Sequence, residues 1–164
     1  MSHQDVLQTR FPAAGLKFSR FRDNDRVVVP AGMLVEVLTC LKHEGGFDML
    51  VDITAVDYLE YADAADRFAV IYCLLNTVTG ERVIVKTFVN DPEPTLPSMY
   101  PLWKSADWTE REVYDMFGIR FAGHPDLRRI LMPHEFTSYP LRKDYPLKGR
   151  GERHNFPVIT RAES

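Results

Sequence analysis

Phe68-Ala69-Val70-Ile71-Tyr72-Cys73-Leu74-Leu75 is apolar at every one of its eight positions. It is too short for a bilayer span, which needs roughly 20 apolar residues. Its β-branched and aromatic content suits a central strand covered on both faces. Thr79-Gly80 follows as a turn, and Arg82 to Val89 alternates loosely, so the pair reads as an antiparallel hairpin. Upstream, Phe47 to about Tyr58 reads as a further strand, with Leu50, Ile53 and Val56 facing the core. Leu16–Phe21 and Arg26–Val29, separated by Asp23-Asn24-Asp25, form another hairpin pattern.

Helices flank these strands. Pro30 opens one that runs to about Glu44, where Met33, Leu34, Val37, Leu38 and Leu41 make a single apolar stripe and Gly45-Gly46 stops it. Asp91-Pro92-Glu93-Pro94 then breaks regular structure. A second helix starts at Asp107, read as its N-cap with Glu110 completing a capping box, and stops at Gly118. Beyond about residue 121 the periodicity ends, and five prolines punctuate the rest, excluding helices longer than two turns. The expected fold is α+β: a mixed sheet of about five strands with helices packed on it, and an extended non-regular C-terminal strap. The expected division is a globular domain over 1–121 and a basic tail over 122–164.

Charge divides along the same line. Residues 1–116 carry 11 basic and 18 acidic residues, and residues 117–164 carry 9 and 5, so an acidic body precedes a basic tail. A tail of opposite sign is suited to folding back on its body or docking on an acidic partner. Cys40 and Cys73 lie far apart in apolar runs, which argues for free thiols and against an iron–sulfur or zinc centre. The N-terminus has neither the basic nor the apolar region of a secretory signal.

The second helix carries the sharper signal. In Trp108-Thr-Glu-Arg-Glu-Val-Tyr-Asp-Met-Phe117, large apolar residues point all round a wheel of about 100° per residue, leaving no broad polar face. Such a helix is mostly buried, so its charges need partners. Arg111 and Asp115 are spaced to pair within the helix, and the tail offers His124, Arg128, Arg129, Arg142 and Lys143 to Glu110 and Glu112. An intramolecular network and a partner-facing one both satisfy this pattern. A hydrolase reading that uses Glu112 and Asp115 lacks a nucleophile beside them. His134-Glu135 fails the zinc-protease spacing because position 138 is serine. Asp48, Asp52, Asp57 and Glu60 lack calcium-loop spacing. Gly149-Arg-Gly-Glu-Arg153 is a weak nucleic-acid element with a single nearby aromatic, Phe156.

Glu110-Arg-Glu-Val-Tyr-Asp-Met-Phe117, followed at fixed spacing by His124, Arg128 and Ile130-Leu131, resembles the signature of the thirty-kilodalton (C-type) subunit of respiratory complex I. Tyr139-Pro-Leu-Arg-Lys-Asp-Tyr-Pro-Leu147 is similar to the strap of the same family, with Ser138 standing where that family has glycine. The resemblance implies a subunit of the bacterial proton-pumping NADH:quinone oxidoreductase with no catalytic residue, cofactor or metal of its own. Partner subunits would bind FMN, the iron–sulfur clusters and quinone. The implied partners are the quinone-site large subunit and the terminal iron–sulfur cluster subunit. The implied place is peripheral, on the cytoplasmic face of the inner membrane, with membrane contact only through the complex. Arg142, Lys143 and Asp144 would then join Glu110, Arg111, Glu112, Asp115, His124 and Arg128 as docking or ion-pair residues. An equivalent subunit of a membrane-bound hydrogenase or complex I-like enzyme shares the motif. A nucleic-acid module using the basic tail is the alternative of another class.

Overall fold

The computed structural model describes residues 2–152, and its elements run α1 (His3–Arg10), β1 (Lys17–Phe21), β2 (Asn24–Val28), a short 3-10 turn (Ala31–Met33), α2 (Leu34–His43), β3 (Met49–Asp57), β4 (Phe68–Leu75), β5 (Arg82–Val89), β6 (Thr95–Pro97), α3 (Ala106–Phe117) and β7 (Arg120–Ala122). The mixed α+β sheet is as the hydrophobic pattern predicts, with strand order β1-β2-β5-β4-β3. β2 and β5 are parallel, and the remaining neighbours are antiparallel. Both hairpins form. The first turns at Arg22-Asp23, with Arg22 at φ 55°, so Asn24 and Asp25 belong to β2 rather than to the turn.

One face of the sheet holds the core. Leu34, Val37, Leu38 and Leu41 of α2 pack with Val27, Tyr72, Leu74, Val83 and Val85, all essentially excluded from water. α3 lies over β3 on the same side. The residues leading into it are tied down by Ser105 Oγ donating to the Leu50 carbonyl at 3.0 Å and by Trp103 Nε1 donating to the Asp48 carbonyl at 3.1 Å. α1, which the sequence pattern does not announce, buries Leu7 and His3. His3 Nδ1 sits 2.5 Å from Glu81 Oε1.

Three expectations change. β4 is not covered on both faces: Phe68, Val70, Tyr72 and Leu74 are buried, whereas Ile71, Cys73 and Leu75 are only half-buried. Val56 is not in the core, because a bulge between Leu50 and Asp52 shifts the alternation by one residue. That shift turns Ile53, Ala55 and Asp57 inward and Val56 outward. Asp107 does not cap α3: the cap position is Ser105, and Glu110 points into the protein instead of back to the helix start. A small parallel sheet of β6 and β7, absent from the sequence reading, holds the chain ends on either side of α3 together.

Candidate functional site

Among the described residues no catalytic constellation stands out; the polar chemistry is concentrated where residues 123–152 lie across α3 and the edge of the sheet. Two buried carboxylates organise that contact, and a third lies at its root. Each accepts hydrogen bonds from segments distant in sequence.

Asp115 is the first. Its Oδ2 accepts the N–H groups of Ile130, Leu131 and Met132 at 3.0, 2.7 and 2.9 Å. Its Oδ1 accepts from Arg129 Nη1 at 2.7 Å. Burial alone would push this carboxyl up, but the Met132, Leu131 and Ile130 amides and the Arg129 guanidinium outweigh it and hold it below the usual range. Three consecutive N–H groups converging on one oxygen form an anion nest, and α3 fills it with its own side chain. Arg129 also donates to the Ser138 carbonyl at 3.0 Å, so one guanidinium joins the helix to two points of the strap.

Asp57, turned inward by the bulge, is the second. It accepts from Lys143 N at 2.9 Å, Leu59 N at 3.0 Å and Arg67 Nη2 at 3.3 Å. Burial raises this carboxyl, but those donors together keep it below the ordinary value. Arg67 also reaches Asp91, and it meets Asp144 at 2.9 Å. Arg142 Nη1 meets Asp91 at 3.4 Å, while Arg142 Nε donates to the Phe117 carbonyl at 2.5 Å.

These cations also stack in sequence with aromatic rings. The Arg67 guanidinium lies 4.8 Å from the Phe68 centroid, and Arg142 lies 5.0 Å from both Phe68 and Tyr139. Arg129 lies 5.2 Å from Tyr139 and 5.7 Å from Phe136. The result is an alternating cation–aromatic column running from the sheet edge into the strap. Gly118 lets Tyr139 approach: its φ is +75°, and a Cβ there would stand 2.5 Å from the Tyr139 ring.

Glu110 is the third carboxylate and differs in kind. It is fully buried, accepting from Ser98 Oγ and Met99 N, both at 2.6 Å. Among the described residues the only cationic-capable group within 4.0 Å is His124 Nε2. That nitrogen lies 3.1 Å from the Asp107 carbonyl, and Nδ1 accepts from Asp126 N at 3.0 Å, which places the ring hydrogen on Nε2. Burial without a guanidinium or ammonium raises the Glu110 carboxyl to about 7, against the pull of the Ser98 and Met99 donors.

The nine sequence-derived residues therefore separate. Glu110 and His124 meet at the root of the strap, Asp115 and Arg142 join the buried networks, and the half-exposed Asp144 meets Arg67 at their margin. Lys143 contributes through its backbone, and its side chain is exposed. The Arg111–Asp115 helix pair does not form: Arg111 Nε donates to the Arg128 carbonyl at 3.2 Å and its guanidinium stacks on Trp108 at 4.9 Å. Asp115 is consumed by the strap instead. Arg128 pairs with Asp126 at 2.9 Å on the surface rather than with α3. Glu112 is exposed and makes no ion pair among the described residues. Arg129 carries the role that the block of charged residues suggests for Arg128. Asp57, Arg67 and Asp91 were not legible as partners of the strap because only the bulge and the sheet register bring them to it. The Gly149–Arg153 patch lies partly, and Phe156 wholly, outside the described residues.

The outer surface of α3 and the strap carries large apolar side chains among its charged ones. α3 is mostly buried, as expected, but Trp108 is 63% exposed, and Leu131, Leu141 and Leu147 are exposed on the strap.

A family model described as "Respiratory-chain NADH dehydrogenase, 30 Kd subunit" matches residues 27–151. The chain is 47% identical over 147 residues to the C-type subunit of the NADH-quinone oxidoreductase of Trichlorobacter lovleyi, covering 90% of each protein. The solved structure of a trypsin-resistant fragment of Nqo5 superposes with a TM-score of 0.69 at 38% identity, covering 76% of this chain and 99% of that one. A chain of the membrane-bound sulfane sulfur reductase, an archaeal respiratory membrane complex, shares the fold with a TM-score of 0.75 at 24% identity, covering 96% of this chain and 93% of that one.

Proposed function

Because this chain belongs to the respiratory-chain NADH dehydrogenase 30 Kd subunit family, we propose that it serves as a rigid docking piece between redox subunits. It is a peripheral-arm subunit of a complex I-type NADH-quinone oxidoreductase. In this reading its partners are the quinone-site large subunit and the terminal iron–sulfur cluster subunit. FMN, the clusters and quinone belong to partner subunits, and the chain itself carries no redox group. The thiols support that assignment: Cys40 is buried on α2 on the core side of the sheet and Cys73 lies on the opposite face, so they do not converge as cluster ligands. None of the described helices is long and apolar enough to cross a membrane. In the proposed arrangement the chain sits peripherally at the cytoplasmic face, attached through other subunits.

The observation that carries the proposal is the strap itself. Buried Asp115 and Asp57 and the cation–aromatic column lock a segment without helix or strand onto α3, and this leaves Trp108, Leu131, Leu141 and Leu147 pointing away from the body. Ordering such a segment costs conformational entropy. Doing so before assembly lowers the cost of binding a partner. Exposed tryptophan beside a guanidinium is the composition of an interface anchor.

Affinity capture of the tagged full-length chain from membranes tests this. Wild type should recover the quinone-site and terminal-cluster subunits, and Trp108→Ala/Leu141→Ala/Leu147→Ala should lose them while remaining folded. Recovery of hydrogenase subunits, or equal recovery by the triple variant, would overturn the reading.

A further inference from the structure

The sheet has a second face that none of the described elements covers. α2 and α3 both lie on the core side, and the residues of opposite parity line an open trough of about 370 Å³ that includes Val28, Ile71, Ile84, Tyr58 and Lys86. Register places Val28 beside Lys86 and Lys86 beside Ile71 across three adjacent strands. Phe21 and Met49, 54% and 46% exposed, stand on the two outermost strands.

The charges on this face are one-sided. Lys17, Arg26, Arg82 and Lys86 all belong to the outward-facing parity of β1, β2 and β5, and among the strand residues of that parity Asp52 on the edge strand β3 is the one acid. Among the described residues none of the four cations has a carboxylate within ion-pair distance. Lys86 Nζ donates to the Tyr58 hydroxyl at 2.7 Å, and Arg26 stacks on Phe21 at 4.9 Å. A body with an excess of acidic residues thus presents a basic, apolar sheet face.

Resting on the function proposed above, we infer that this open face is a second docking surface, and that its occupant is an acidic amphipathic helix of a neighbouring subunit. A sheet normally buries its apolar faces against another layer, and a helix is the usual cover for a face bearing Val and Ile. Five strands about 4.8 Å apart give a platform about 20 Å wide, which accepts a helix roughly 10 Å in diameter. Aliphatic residues of that helix would fill the trough between Val28, Ile71 and Ile84. Its carboxylates would meet Lys17, Arg26, Arg82 and Lys86, giving register and partner choice. This face lies on the opposite side of the sheet from α3, so the subunit would be held from two sides.

The test uses the assembled complex. A photoreactive benzophenone residue replaces Ile84 in one version of the tagged chain and Leu141 in another, and cross-linked peptides are identified after capture. Ile84 should cross-link to a peptide of another subunit with helical apolar periodicity and net negative charge. Lys17→Glu/Arg82→Glu changes two exposed side chains that hold no part of the core. It should lower the Ile84 yield about tenfold, the factor for about 1.4 kcal/mol, while Lys17→Arg/Arg82→Lys retains it. No cross-link at Ile84 in complexes where Leu141 does cross-link would overturn the inference and leave the function standing. Cross-links to this chain, to a second copy, to nucleic acid or to a basic segment would overturn it equally. Silence at both positions overturns the function and this inference with it.

Discussion

Glu110→Gln provides a test of the buried network in the isolated full-length chain. The carboxyl is excluded from solvent, receives two neutral donors and reaches about 7, against an ordinary value of 4.5. As pH rises between those values, the unfolded chain releases its proton while the folded one keeps it. The folded state therefore binds more protons in that window, and its stability falls as pH rises. At about 1.36 kcal/mol for each pH unit between 4.5 and about 7, this corresponds to a loss of roughly 3 kcal/mol between about pH 4 and pH 8. The Asp57 and Asp115 carboxyls are lowered, so their contributions change only below the ordinary carboxylate range and do not mask this slope. Glutamine keeps an acceptor for the Met99 amide and does not titrate. Any cost of rearranging the Ser98 hydroxyl is independent of pH. Urea unfolding across that window should show wild-type stability declining and the variant more nearly level, the two curves diverging toward alkaline pH in the variant's favour. Parallel curves would refute the reasoning.

Asp115→Asn should destabilise the chain by about 3 kcal/mol, because Arg129 loses its buried counter-charge and one nest oxygen becomes an amide; urea midpoints and earlier proteolysis near residues 129–132 check it. Gly118→Ala should cost about 2 kcal/mol or more, since alanine is strained at φ +75° and its Cβ meets the Tyr139 ring; thermal unfolding measures it, and an unchanged midpoint would contradict the packing. Trp108→Ala should change stability by no more than about 1 kcal/mol, since it loses the Arg111 stacking contact and little burial, yet it should weaken capture of partner subunits. A large fall in stability would show that Trp108 belongs to the core.

Hydrophobic periodicity alone determined the α2 stripe, the β4–β5 hairpin and the mixed α+β class, because core-facing residues recur with the period of the element that carries them. Local chemistry likewise determined the stop at Gly118, where a left-handed residue ends α3. The charged block of α3 and the basic strap were legible as groups needing each other. Which pairs form was a tertiary decision. A one-residue bulge in β3 reversed the faces of Val56 and Asp57, and no local composition announces such an insertion. Asp115 bypassed Arg111, four residues away in its own helix, because three strap amides and Arg129 converge on it once residues 129–132 cross α3. Glu110 has the residue type of a capping partner, but the β6–β7 pairing that flanks α3 brings Ser98 and Met99 to it and fixes its burial. The basic outer face was hidden for the same reason: Lys17, Arg26, Arg82 and Lys86 are scattered along the chain, and only strand register gathers them beside Ile71 and Ile84. Patterns within an element follow from backbone period, whereas partners between elements depend on crossings that arise only when the chain closes on itself.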